Sequence, residues 1–255
     1  MEKFFGNMHI VHLQNIEKNG RIVICNGGKE IFFLCLLHYN DTCKVNQQFT
    51  GGERKVVKLN IQTAELALRE ASESNPGAWA DHSRFVAEAC KNIASHCKDL
   101  SSEQAYIFGL LHDIGRYAGV SSERHLIDGY RYCMERGWEK AAQICISHAF
   151  MIQDIATSIG EFDVSDEDYL FMKEFVANAV YDDYDRLVQL CDALAMPSGF
   201  CLLEKRFVDV TMRYGVHPAT IDRWKKILEI KERFEDQIGC SIYALLPGVM
   251  ENSFR

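Results

Sequence analysis

Only four of the 255 residues are Pro, and no stretch is rich in Pro, Ser or Gly. That scarcity argues against a long unstructured linker. No apolar run approaches the ~20 residues of a membrane span; the longest candidate, Ile31 to Leu37, is far too short. No secretory hydrophobic region follows Met1-Glu2-Lys3-Phe4-Phe5, so the expectation is a cytoplasmic protein without membrane contact. Basic residues are in deficit, 28 Lys+Arg against 36 Asp+Glu for a net charge of −8. Stable nucleic-acid binding is therefore not expected, because phosphate contacts need a basic surface. The deficit is uneven: residues 1–60 carry +3 and the remainder −11. The chain has ten Cys but no Cys-x-x-Cys pair, which removes zinc-ribbon and thioredoxin-like spacings. Most of these Cys sit in apolar runs, as in Leu190-Cys191-Asp192-Ala193, and read as buried thiols in a reducing compartment. There is no internal repeat and no low-complexity segment.

What is present divides the chain in two. The length allows one large domain or a domain with a small appendage. Within residues 1–58, Arg21–Cys25 and Glu30–Leu34 are strand-like runs around Asn26-Gly27-Gly28-Lys29, a hairpin turn by composition. Arg54 to Leu59 can supply another short strand. Gly27-Gly28-Lys29 lacks the spacing and following Ser or Thr of a phosphate loop. Residues 59–255 read as helical. Ala64–Ala71 is rich in helix formers and stops at Ser74-Asn75-Pro76-Gly77. Asp81 is expected to cap a helix running to about His96, and Ser101 to start one ending at Gly115. Further helices are expected over 122–136, 138–149, 166–178, 182–195, 200–213 and 218–237. The fold class is thus mainly α, a helical bundle with a small N-terminal β-containing appendage.

Four His and two Asp are spaced through the helical part: His82, the pair His112-Asp113, His125, His148 and Asp192. Imidazole and carboxylate together suit a divalent metal. An adjacent His and Asp can give two ligands from one helical turn, and Gly115 just after them frees the backbone to leave the helix. His112 and Asp113 end the apolar run Ile107 to Leu111, and Asp192 lies in a helix apolar nearly all round. Burying such carboxylates is costly unless something pairs with them. Singly, each has a plainer reading: His82 as a capping or surface residue, His148 as a satisfied core His, Asp192 in a salt bridge to an Arg. His9, His12, His38, His96 and His217 take no role.

In that order, with the contexts Gly109-Leu-Leu-His-Asp-Ile-Gly-Arg116, Arg124-His125-Leu126-Ile127-Asp128 and Ile144-Cys145-Ile146-Ser147-His148, the set resembles the six-ligand subgroup of the HD-domain superfamily of metal-dependent phosphohydrolases. The resemblance covers roughly Asn60 to Pro197. It implies an HD-domain helical bundle holding one or two divalent ions (Fe, Mn, Zn, Co, Ni or Mg), with Asp113 as the catalytic, bridging carboxylate. It places His82, His112, Asp113 and Asp192 on the first ion, and His125 and His148 on the second. Arg116 is implied to face the substrate phosphate, for which Arg suits bidentate contact. The implied activity is hydrolysis of a phosphate ester or anhydride of a nucleotide or other small phosphorylated metabolite by metal-activated water. The Gly-Tyr-Pro extension of the cyclic-di-guanylate branch is absent. Two alternatives stay open: a di-iron oxygenase on the same ligands, and a non-catalytic binding module of the same fold. Oligomeric state is unread.

Overall fold

The computed structural model describes residues 21–26, 29–34 and 57–254. The chain divides at Gly52 into two units, Met1–Gly52 and Glu53–Arg255. In the first, β1 (Arg21–Asn26) and β2 (Lys29–Leu34) pair antiparallel, with Ile22 opposite Phe33 and Ile24 opposite Ile31. The intervening Gly27-Gly28 lie outside the described residues, as do residues 54–56 of the third expected strand. Val57 to Leu59 are described and are not strand.

The second unit is helical throughout its core. Its elements are α1 (Ile61–Ser74), α2 (Trp79–Ala94), α3 (Ser102–Leu111), α4 (Arg124–Glu135), α5 (Glu139–Ser147), α6 (Asp166–Asn178), α7 (Asp183–Ala193), α8 (Leu203–Tyr214), α9 (Thr220–Ile238) and α10 (Val249–Ser253). A two-residue hairpin, β3 (Ala195–Met196) with β4 (Gly199–Phe200), joins α7 to α8. Among the described residues no helix is long and apolar enough to cross a membrane. The expected mainly helical class is what the chain adopts. Cys90, Cys133, Cys145, Cys191 and Cys201 are buried free thiols, Cys97 is half-buried and Cys240 is exposed.

Local chemistry sets most helix ends. Asn60 and Thr63 form a reciprocal capping box on α1, Ser165 caps α6, and Asp182 caps α7 through the backbone N–H groups of Tyr184 and Asp185, each satisfying otherwise orphaned donors. Two expectations fail at α2 and α3. Asp81 is not a cap: α2 starts two residues earlier, where the Asn75–Gly77 break ends, and Asp81 sits in the first turn, where an acid favours the helix dipole. α3 stops at Leu111, before the His-Asp pair, and a 3-10 turn runs over Ile114–Ala118. Gly115 lies inside that turn and is not the helix terminator. Its small size serves packing: a Cβ there would lie 1.9 Å from the His125 carbonyl oxygen and 2.3 Å from the Gly129 nitrogen.

Small residues bring the site-bearing helices together. α1 buries Ala64, Ala67, Leu68 and Ala71, the i, i+3, i+4, i+7 stripe of a core-facing helix. Gly109 on α3 meets the backbone of α2 so closely that a Cβ would fall 2.6 Å from the Ala87 Cα. That approach sets the rings of His82 and His112 5.4 Å apart. α7 contacts α2, α3, α5 and α9, so it runs along the middle of the bundle. Its fully buried Asp185 ties it to α5: the carboxylate accepts from Ser147 Oγ (2.6 Å), Gln143 Nε2 (2.9 Å), Lys140 Nζ (2.5 Å) and the Asp182 N–H (2.9 Å). Replacing Asp185 by Ala strands these donors. The expected cost is about 3 kcal/mol, the low end for breaking a buried pair, because Lys140 is 29% exposed and can turn to water. Urea unfolding checks it; a loss below about 1 kcal/mol would show that the network does not hold α5 to α7.

Candidate metal centre

Three helices end at one place. His112 is the C-cap residue of α3 and His148 that of α5, and Asp192 is the penultimate residue of α7. Helix C-termini carry partial negative charge, so their convergence favours a cation. His82 comes from the first turn of α2, Asp113 from the link between α3 and the 3-10 turn, and His125 from the first turn of α4.

The imidazoles are oriented by backbone. His112 Nδ1 donates to the Gly109 carbonyl (2.7 Å), His125 Nδ1 to that of Ser122 (2.5 Å) and His148 Nδ1 to that of Ile144 (3.1 Å). A carbonyl can only accept, so in each neutral ring the proton is on Nδ1 and Nε2 carries the lone pair. These are outer contacts of the kind that orient metal-ligating His. His148 Nε2 stands 3.7 Å and His125 Nε2 3.2 Å from Asp113 Oδ1, the latter without hydrogen-bond geometry. His82 Nε2 donates to Asp192 Oδ1 at 2.9 Å.

The result is two donor groups sharing one carboxylate. The ligand atoms of His82, His112 and Asp113 lie within 4.8 Å of one another, and so do those of Asp113, His125 and His148. All five residues are buried. Asp192 belongs to neither group. It stands at the rim against His82, with its side chain 30% exposed, and is not the fully buried acid its apolar helix suggests. The buried atoms His82 Nδ1, His112 Nε2 and Asp113 Oδ1 have no hydrogen-bond partner. Unpartnered buried nitrogen and carboxylate donors are costly, and as N/O ligands they fit a divalent cation. These groups can hold a metal ion.

Charge states agree with that use. Burial lowers the His112 pKa, and burial together with the neighbouring His112 lowers that of His148 to about 4, so both rings are neutral at pH 7 and can donate lone pairs. Burial pushes the Asp113 carboxyl up, but Arg116, His112 and His125 outweigh it and hold it well below the usual carboxylate range. Burial likewise opposes ionisation of Asp192, and the His82 hydrogen bond with the Arg206 charge overcomes it.

Arg116 is paired with the shared carboxylate. Its Nε donates to Asp113 Oδ2 at 2.7 Å, with a second nitrogen 3.4 Å from His125 Nε2; it faces the carboxylate first. It also lines a cavity of about 510 Å³ with His82, Asp113, His125, His148 and Asp192. The far wall comes from α8 and α9 and carries Arg206, Arg213, Arg223 and the stacked pair Phe207–Trp224, with ring centroids 5.0 Å apart. Sequence reasoning singled out none of these. The only available signal was three Arg on the same side of two amphipathic helices, and it does not say what those helices cover.

Residues 56–153 match the HDOD domain, an HD-like family. No curated protein and no solved structure matches the chain. The matched stretch runs from before α1 to just past α5, so it contains His82, His112, Asp113, His125 and His148 and stops short of Asp192 and the arginine wall of α8 and α9.

Proposed function

We propose that this chain is a metal-dependent phosphohydrolase acting on a small phosphorylated metabolite, nucleotides included. The observation that carries the reading is the set of buried donors without partners, His82 Nδ1, His112 Nε2 and Asp113 Oδ1, of which His82 and Asp113 line an arginine-walled cavity. His82, His112 and Asp113 would hold one divalent ion, with Asp192 at its edge; Asp113, His125 and His148 would hold a second. Bound there, a divalent ion lowers the pKa of a coordinated water and polarises a phosphoryl oxygen.

The chain's own residues do the rest. The Gly109, Ser122 and Ile144 carbonyls keep three imidazoles in the donor tautomer. Asp192 accepts a hydrogen bond from His82 Nε2, which fixes that ring and leaves its Nδ1 lone pair for the ion. Arg116 supplies positive charge for a phosphoryl oxygen. α8 and α9 wall one side of the cavity in which these groups stand.

The test is metal content per chain by elemental analysis after purification without chelator, followed by a phosphomonoester screen on the loaded protein. Close to two ions with turnover supports the reading, and one ion with turnover supports a mononuclear version. Loaded iron with oxygen uptake and no phosphate release replaces it with the oxygenase. No ion after reloading with excess metal replaces it with a binding module.

A further inference from the structure

Arg206 lies on α8, outside the family match, and lines the cavity with its side chain 17% exposed. A guanidinium that enclosed needs close acceptors, normally at about 2.7–2.9 Å. Its contacts are longer: 3.4 Å from one nitrogen to Asp209 Oδ2 and 3.7 Å from another to Asp192 Oδ1. Asp209 is held more tightly by Arg213, at 2.8 Å. Arg206 is thus a mostly enclosed cation with no firm partner, facing the same Asp192 Oδ1 that His82 already holds at 2.9 Å.

We propose that Arg206, together with Arg116, binds the terminal phosphoryl group of a phosphate monoester, and that the pair is released for this task by metal. This rests on the phosphohydrolase reading above and names its substrate class. Asp113 belongs to both donor groups and Asp192 holds His82 of the first, and these are also the carboxylates that face Arg116 and Arg206. A cation drawing on those carboxylates weakens their hold on the guanidiniums, which then need another anion. Charge balance favours the monoester. The cavity lining has four Arg (116, 206, 213 and 223) against Asp113, Glu123, Asp192 and Asp209. These Arg, Asp and Glu charges cancel, so the positive charge of a bound divalent ion is left for the ligand. A phosphate dianion offsets it in full for one ion and in part for two, and a diester, with one charge, offsets less in either case. Metal and monoester are therefore linked ligands, each tightening the other.

Calorimetric titration of methyl phosphate and dimethyl phosphate at pH 8, with and without Mn(II), tests this on the wild-type protein and on Arg206→Ala and Arg206→Lys. Methyl phosphate is expected to bind the Mn(II)-loaded wild type at least tenfold more tightly than the metal-free protein, and more tightly than dimethyl phosphate. Arg206→Ala is expected to lose about tenfold or more of that affinity and Arg206→Lys less, with Mn(II) affinity not weakened, because a cation beside Asp192 has been removed. A purely structural Arg206 would weaken Mn(II) binding too, which overturns the proposal. Methyl phosphate affinity unchanged within twofold in Arg206→Ala, equal binding with and without metal, or diester preferred overturns it while leaving the phosphohydrolase reading standing. Failure of Mn(II)-loaded wild type to bind methyl phosphate at all overturns that reading and the proposal with it.

Discussion

Asp113→Ala is expected to strip the protein of metal while leaving it folded. The Asp113 carboxylate is the one group common to both donor sets, so its loss removes a ligand from each at once. Removing an outer partner of a ligand already costs roughly 10–100-fold in metal affinity; removing a shared ligand is expected to cost more than about a hundredfold. Elemental analysis should then find almost no ion per chain, and metal-dependent turnover should vanish. The fold should survive because no buried charge is stranded. Arg116 is 30% exposed and can turn into the cavity, and the three imidazoles keep their carbonyl partners. The variant should also respond differently to acid. In the folded protein the Asp113 carboxyl titrates well below its ordinary value of 3.8. Its ionisation therefore contributes stability that is complete above that value and is lost as pH falls through the lower, folded one. Metal-free wild type should lose stability more steeply below about pH 3.8 than Asp113→Ala does, Asp192 acting alike in both. Circular dichroism across that range, beside the metal assay, checks both halves. Wild-type metal content in Asp113→Ala would remove the shared-carboxylate mechanism.

How much of this was legible in the sequence depends on how local the cause is. Ser101, Ser165 and Asp182 sit where helix starts are expected, and Pro76-Gly77 breaks the chain where α1 must end, so the expected helices fall within a few residues of the observed ones. The imidazole tautomers have a local cause as well: each Nδ1 reaches a carbonyl three or four residues back, as a helical turn allows. Convergence of the four His was legible only through family resemblance, since nothing in the spacing of His82 and His148 says that both come to Asp113. Where the cause is tertiary, reading failed. The apolar neighbours of Asp192 predict a buried acid, but α7 turns Gln189, Asp192 and Ala193 toward a cavity walled by α8 and α9. Arg206 looked like any helical Arg for the same reason. The β3–β4 hairpin is only two residues per strand, too short for a hydrophobic pattern to register.

Gly115 is the clearest of these tertiary causes, and replacing it with Ala is expected to be the most destructive single-methyl change near the site. A Cβ at this position would sit 1.9 Å from the His125 carbonyl oxygen, 2.3 Å from the Gly129 nitrogen and 2.9 Å from its Cα. All three are backbone atoms of α4, so no side chain can swing aside; the helix itself must move by more than an ångström. Overpacking a core commonly costs about 1–3 kcal/mol, and a backbone collision belongs at or beyond the upper end, at least about 3 kcal/mol. Gly215→Ala is the instructive contrast. Its φ of +82° with ψ of −175° is a conformation almost confined to Gly, but nothing lies within 4 Å of the added carbon, so only a backbone penalty of about 1–3 kcal/mol applies. The functional consequence is also asymmetric. α4 carries His125, so its displacement opens the Asp113–His125–His148 group, whereas His82 and His112 stand on α2 and α3. At most one ion per chain should remain in Gly115→Ala, with Gly215→Ala keeping the wild-type content. Urea unfolding and elemental analysis of the two variants decide it: stability within about 1 kcal/mol of wild type for Gly115→Ala would mean that the 3-10 turn and α4 do not meet at that glycine, and that His125 is not held where the second donor group needs it.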